Sequence, residues 1–177
     1  MNMYNPKKIL VPVDFSEISE GVVRASAEIA KKWDSEILIL HVAQETDHLP
    51  TIPAPSHREL GEKHGLVLPS RSQLLENAQL ELEGRLEVMA RTAADGLKVR
   101  TVVVWGSPVE QIVRTAGAGD CDLIVMATHG RGGLSRFLLG SVTEQVIRRA
   151  PCPVLAIRAK VARERLAAAG TERALAG

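Results

Sequence analysis

The chain has 177 residues, 45% apolar and 24% charged, a composition that excludes disorder along its whole length. Lys and Arg number 22 against 21 Asp and Glu, and this near balance leaves no electrostatic footprint for general nucleic-acid binding. Aromatics are only 3% (Tyr4, Phe15, Trp33, Trp105, Phe137), too few for a base-stacking platform.

The opening MNMYNPKK is followed by no apolar stretch long enough for a signal peptide. No later run approaches the roughly 20 residues needed to cross a bilayer, so no membrane contact and a cytoplasmic location are expected. Lys8 to Asp14 reads KILVPVD, a branched apolar run that does not alternate, which predicts a strand buried on both faces. A helical stripe runs from Glu17 to Trp33, and Ser16 or Ser19 is the expected cap. Glu36 to Ala43, EILILHVA, is a second buried strand, and β-α-β implies parallel pairing with a right-handed crossover.

Residues 44–70 carry Pro50, Pro53, Pro55, Pro69, Gly61 and Gly65 without a clear period, and are read as a long surface loop. His48, His57 and His64 within it are too loosely spaced for a zinc site. A helix is expected from Arg71 to Ala94, and a third strand from Lys98 to Trp105. Ser107-Pro108-Val109-Glu110 has the spacing of a capping box with proline at the first helical position, opening a helix to about Ala116. Asp122 to Ala127 is a fourth strand. A glycine-rich loop and a further helix come next, and Pro153 to Arg158 is a fifth strand. The alternation specifies one α/β domain over residues 1–158 with a mostly parallel sheet. Residues 159–177, rich in Ala and Arg, lie outside it and are expected as a flexible or helical tail, with a partner-binding helix as the sharper alternative.

Cys121 and Cys152 fit neither a CxxC motif nor a zinc ribbon and read as small buried apolar residues. No GxSxG elbow, paired carboxylates or base beside a thiol presents a catalytic site. His41 ends a buried strand and reads as a satisfied core histidine.

The most informative stretch is DLIVMATHGRGGLSRFLLGSV, residues 122–142. Gly130 and Gly132 directly follow a strand, where a missing Cβ lets a ligand approach the backbone. Gly140-Ser141-Val142-Thr143 opens the next helix, whose unpaired N–H groups and partial positive charge suit a phosphate. Ser141 and Thr143 supply hydroxyl donors, and Arg131 and Arg136 supply cations. The pattern is neither a P-loop nor the dinucleotide fingerprint. Asp14 ends the first strand. If strands one and four are neighbours, Asp14 and the glycine loop converge on the crevice where strand order reverses. A helix-capping role for Asp14 is the competing reading.

ILVPVDFSE near the N-terminus, LHV ending the second strand, and above all MATHGRGGLSRFLLGSVTEQVIRRAPCPVLAIR resemble the universal stress protein family, from about Lys7 to Arg158. Gly130, nine residues, Gly140 and Ser141 match the later part of the family's signature, whose first glycine falls here at Ala127. The resemblance implies a doubly wound five-stranded parallel sheet of order 3-2-1-4-5 with helices on both faces. It implies ATP binding, with Pro12, Val13 and Asp14 lining the adenosine part and the Val42 backbone meeting adenine. Ala127, Gly130, Gly140, Ser141 and Val142 would hold the phosphates, with Arg131 and Thr143 as additional contacts and Met126 also at the nucleotide. Mg2+ would arrive with the phosphates, with Asp14 as a further contact. It also implies a homodimer pairing the fifth strands, Val154, Leu155, Ala156 and Ile157, and an unidentified protein partner. The expected function is nucleotide binding in a stress response, with at most slow ATP hydrolysis, since neither a P-loop lysine nor a base for water is recognisable. The alternatives are an interaction protein that binds no nucleotide and, further off, an adenylating enzyme.

Overall fold

A computed structural model describes residues 5–48, 69–128 and 140–175. Its elements are β1 (Lys8–Val13), α1 (Ser19–Trp33), β2 (Glu36–Ala43), a short α2 (Glu45–His48), α3 (Arg71–Ala93), β3 (Val99–Trp105), α4 (Pro108–Ala118), β4 (Leu123–Ala127), α5 (Ser141–Arg149), β5 (Val154–Ile157) and α6 (Ala159–Leu175). The strands form one parallel sheet in the order β3-β2-β1-β4-β5, as expected.

The unbroken apolar strands follow from two cores, one on each face. Ile9, Val11 and Val13 join Val22, Val23 and Ala30 of α1 and Leu82 and Leu86 of α3 on the first face. Leu10, Leu40, Ile124 and Met126 join Val109, Ile112 and Ala116 of α4 and Val146 of α5 on the other. Neighbouring residues of one strand serve opposite cores, so neither set can be polar. Right-handed crossovers account for the layering. The chain steps outward from β1 to β3 with α1 and α3 on one face. It then returns through α4 to β4 on the opposite face.

Three local expectations are corrected. Helix α1 begins at Ser19, not Glu17; its cap position is Ile18, and neither Ser16 nor Ser19 caps it. Both serines instead bond to Asp14: its Oδ1 accepts from the Ser16 amide and the Ser19 hydroxyl, each at 3.0 Å. Ser107 stands at the cap of α4 with Pro108 at its first position, but its side chain makes no capping bond. The reciprocal box is at α3, where Ser70 and Gln73 satisfy each other's backbone N–H groups.

Beyond β5, α6 packs on α1. Ala162 is fully buried there, and its carbonyl oxygen lies 2.1 Å from where a Cβ on Gly21 would stand. Arg163 pairs with Glu17, and Arg165 pairs with Glu28 at 2.9 Å. Among the described residues no helix is long and apolar enough to cross a membrane.

Candidate functional site

Strand order reverses between β1 and β4, and the crevice lies at their carboxyl ends. Proline shapes it. The ladder between these strands runs through Ile9↔Leu123 and Leu10↔Ile124 and then stops, two residues before Pro12, which has no N–H to donate. On its other side β1 stays in register with β2 through Val13↔His41. The ends of β1 and β4 thus flank the crevice unpaired with each other.

Two hydrogen bonds fasten the start of α5 to the end of β4, and a third ties that end to β5. Thr143 Oγ1 donates to the Ala127 carbonyl at 2.8 Å. The Gly140 amide donates to the Thr128 carbonyl at 2.6 Å, and the Thr128 amide donates to the Ile157 carbonyl at 2.9 Å. Thr143 is buried, and its hydroxyl proton goes to the Ala127 carbonyl. Ser141 is exposed and Val142 half-buried.

Gly140 caps α5 at φ −60° and ψ 144°, backbone angles open to any residue. What matters there is the missing side chain. A Ser or Asp at this position would fold back onto the first-turn amides. Glycine itself offers no side chain to cap the helix, and no described group accepts from the N–H of Ser141, Val142 or Thr143. Ala127 is half-buried, and its methyl packs against the core on the α1 face.

On the β1 side, Asp14 is half-buried, and the two bonds onto Oδ1 orient its carboxylate. It does not cap α1, whose cap position is Ile18, contrary to the capping role its place before the helix suggests. His41 is buried, with Nδ1 2.8 Å from the Val13 carbonyl oxygen. A carbonyl only accepts, so Nδ1 carries the proton and His41 is a satisfied core histidine. Pro12 pairs with Leu40, and Val42 of β2 pairs with Val104 of β3. Gly130, Arg131, Gly132, His129 and Arg136 lie outside the described residues, as do residues 49–68 of the expected loop. The described residues hold no group of three His, Cys, Asp or Glu suited to a metal.

The two thiols sit at the other end of the sheet, against the α4–α5 core. Both are free; Cys121 is buried and Cys152 half-buried. Burial, with the neighbouring Cys152 adding to it, pushes the Cys121 thiol up to about 11. Burial and Asp122 raise that of Cys152. Neither is tuned to be a nucleophile.

Sequence reasoning missed the contacts of Phe15. This residue adopts φ 58°, its ring lies 4.4 Å from that of His41, and the Arg85 guanidinium stands over it at 4.0 Å. Nothing in the spacing of Arg85 on α3 announces that contact.

Residues 5–158 match the model of the universal stress protein family. The chain belongs to the universal stress protein family. It is 36% identical over 157 residues to universal stress protein MJ0531 of Methanocaldococcus jannaschii, covering 89% of this chain and 84% of the relative. It is 31% identical over 160 residues to universal stress protein YxiE of Bacillus subtilis, covering 88% and 100%. Among solved universal stress proteins, MJ0577 superposes with a TM-score of 0.67 at 32% identity, covering 88% of this chain and 96% of that one. Another, solved in complex with cAMP, superposes at 0.58 and 21% identity, covering 88% and 98%, and shares the fold.

Proposed function

We propose that this universal stress protein binds an adenine nucleotide, ATP carrying Mg2+, in the crevice between β1 and β4, and serves a stress response as a cytoplasmic homodimer. The observation that carries the reading is the glycine cap of α5. A helix start fastened to the end of β4, with no described side chain on its first amides, offers three N–H groups and the helix dipole to an anion.

Ser141 and Val142, with Gly140 and Ala127 behind them, would face the phosphates, joined by Gly130 and Arg131 of the preceding loop. Pro12, Val13 and Asp14 would line the adenosine part, and the Val42 backbone would meet adenine. The donor set fits a cation that comes with the ligand, since Asp14 offers a single carboxylate at the end of β1. Mg2+ would neutralise phosphate charge. A fast phosphoryl transfer needs a base that orients water. Asp14 already accepts two bonds at one oxygen, and the sequence offers no P-loop lysine, which supports binding with slow hydrolysis at most.

The dimer reading rests on β5, the sheet edge, where Leu155 is 42% exposed. Sedimentation at micromolar concentration tests it, and a monomer retires it.

Calorimetric titration with Mg-ATP tests the site, with Ser141→Glu as the control. A carboxylate in the first turn favours α5 by about 0.3–1 kcal/mol yet repels phosphate. The expected result is binding by the unmodified protein and its loss in a variant that is no less stable. Absence of binding by the nucleotide-free protein turns the reading to an interaction protein of the same fold.

A further inference from the structure

We infer that Phe15 and Arg85 are positioning residues for the nucleotide crevice: an aromatic clamp from β2 and α3 holds the turn after β1 in a left-handed conformation that aims the Asp14 carboxylate. The inference rests on the nucleotide reading above and adds the device that sets one wall of the site.

Phe15 has φ 58°, a region where a bulky residue is a steric outlier. Such a conformation persists only when its surroundings over-determine it, and such outliers gather at binding sites. The surroundings here are specific. The Phe15 ring lies 4.4 Å from the His41 ring at a 45° tilt, and the Arg85 guanidinium stands over it at 4.0 Å. His41 is itself fixed by its bond to the Val13 carbonyl, on the residue before Asp14. The ring is therefore referenced to β2 and α3, two elements other than the one it belongs to.

The consequence falls on the residues either side of Phe15. Asp14 Oδ1 accepts from the Ser16 amide, which can reach back across one residue because the chain reverses at Phe15. Without the clamp Phe15 would relax toward ordinary negative φ, Ser16 would swing away, and the carboxylate would lose one of the two bonds that orient it, keeping the one from Ser19. Arg85 thus acts through Phe15 without touching the ligand.

Two readouts test this together: Mg-ATP affinity by calorimetry, and hydrogen exchange at the Ser16 amide in the nucleotide-free protein. Arg85→Met keeps the stem and removes the cation. Phe15→Ala removes the ring and leaves a residue with no preference for left-handed backbone. Each is expected to weaken Mg-ATP by about three- to tenfold and to speed exchange at Ser16, Arg85→Met with little change in Tm and the Phe15 variant with a lower one, since its ring packs on the core. Arg85→Lys and Phe15→Tyr are expected to restore both. Unchanged Ser16 exchange in Arg85→Met overturns the inference. So does faster exchange with unchanged affinity. An unmodified protein that binds no Mg-ATP overturns the nucleotide reading, while Ser16 exchange still decides whether the clamp sets the Asp14 turn.

Discussion

The Thr143 hydroxyl donates to the Ala127 carbonyl at 2.8 Å, so the first turn of α5 is fastened to the last residue of β4, across sixteen residues of sequence. Thr143→Val keeps the shape and leaves that carbonyl without its partner. A buried unsatisfied acceptor costs about 1–3 kcal/mol. Chemical denaturation is expected to show that loss, and Mg-ATP titration a weaker site. Thr143→Ser restores both.

Asp14 separates charge from geometry. In Asp14→Asn the amide oxygen still accepts from Ser16 and Ser19, so stability is expected to hold within about 0.5 kcal/mol. Mg-ATP affinity is expected to fall, because the contact toward the cation has lost its charge. Asp14→Ala loses both, and calorimetry beside thermal melts distinguishes the two variants.

Ala127 takes the place of the signature's first glycine, and its methyl packs on the α1-side core. Ala127→Gly is therefore expected to leave Mg-ATP affinity within about twofold, while costing about 0.5–1 kcal/mol through added backbone freedom. A large gain in affinity would mean that the methyl obstructs the ligand.

Gly21 sets how closely α6 approaches α1. Gly21→Ala gains up to about 1 kcal/mol in helix propensity. It also drives a methyl to 2.1 Å from the Ala162 carbonyl oxygen, where backbone must yield, and overpacking costs about 1–3 kcal/mol. The clash wins. The expected result is a lower Tm and faster amide exchange along α6.

Cys121 gives a pH dependence of known sign. Its thiol rises from 9.0 to about 11 on folding, chiefly through burial. Below 9 both states hold the proton and the full stability is present. Between 9 and 11 the unfolded chain releases a proton that the folded chain keeps, so stability falls by on the order of 2 kcal/mol. Urea midpoints measured from pH 8 to 11 are expected to decline, and to decline less steeply in Cys121→Ala.

Much of this protein was legible locally. The runs around Ile9–Val13 and Ile37–Ala43 do not alternate, and a strand that feeds two cores cannot, so the parallel doubly wound sheet was determined by the sequence. The start of α5 was equally readable, because glycine before Ser-Val-Thr-Glu states that no side chain caps it. Capping was less secure. The Ser107 spacing promised a box that does not close, whereas Ser70 and Gln73 close one at the end of a proline-rich stretch. What the tertiary structure alone decided is which partners meet: Thr143 with Ala127, Arg85 with Phe15, Gly21 with Ala162. Periodicity states which face of an element is buried. The partner on that face is chosen by crossover handedness and close packing between elements distant in the chain, and no local pattern carries that information.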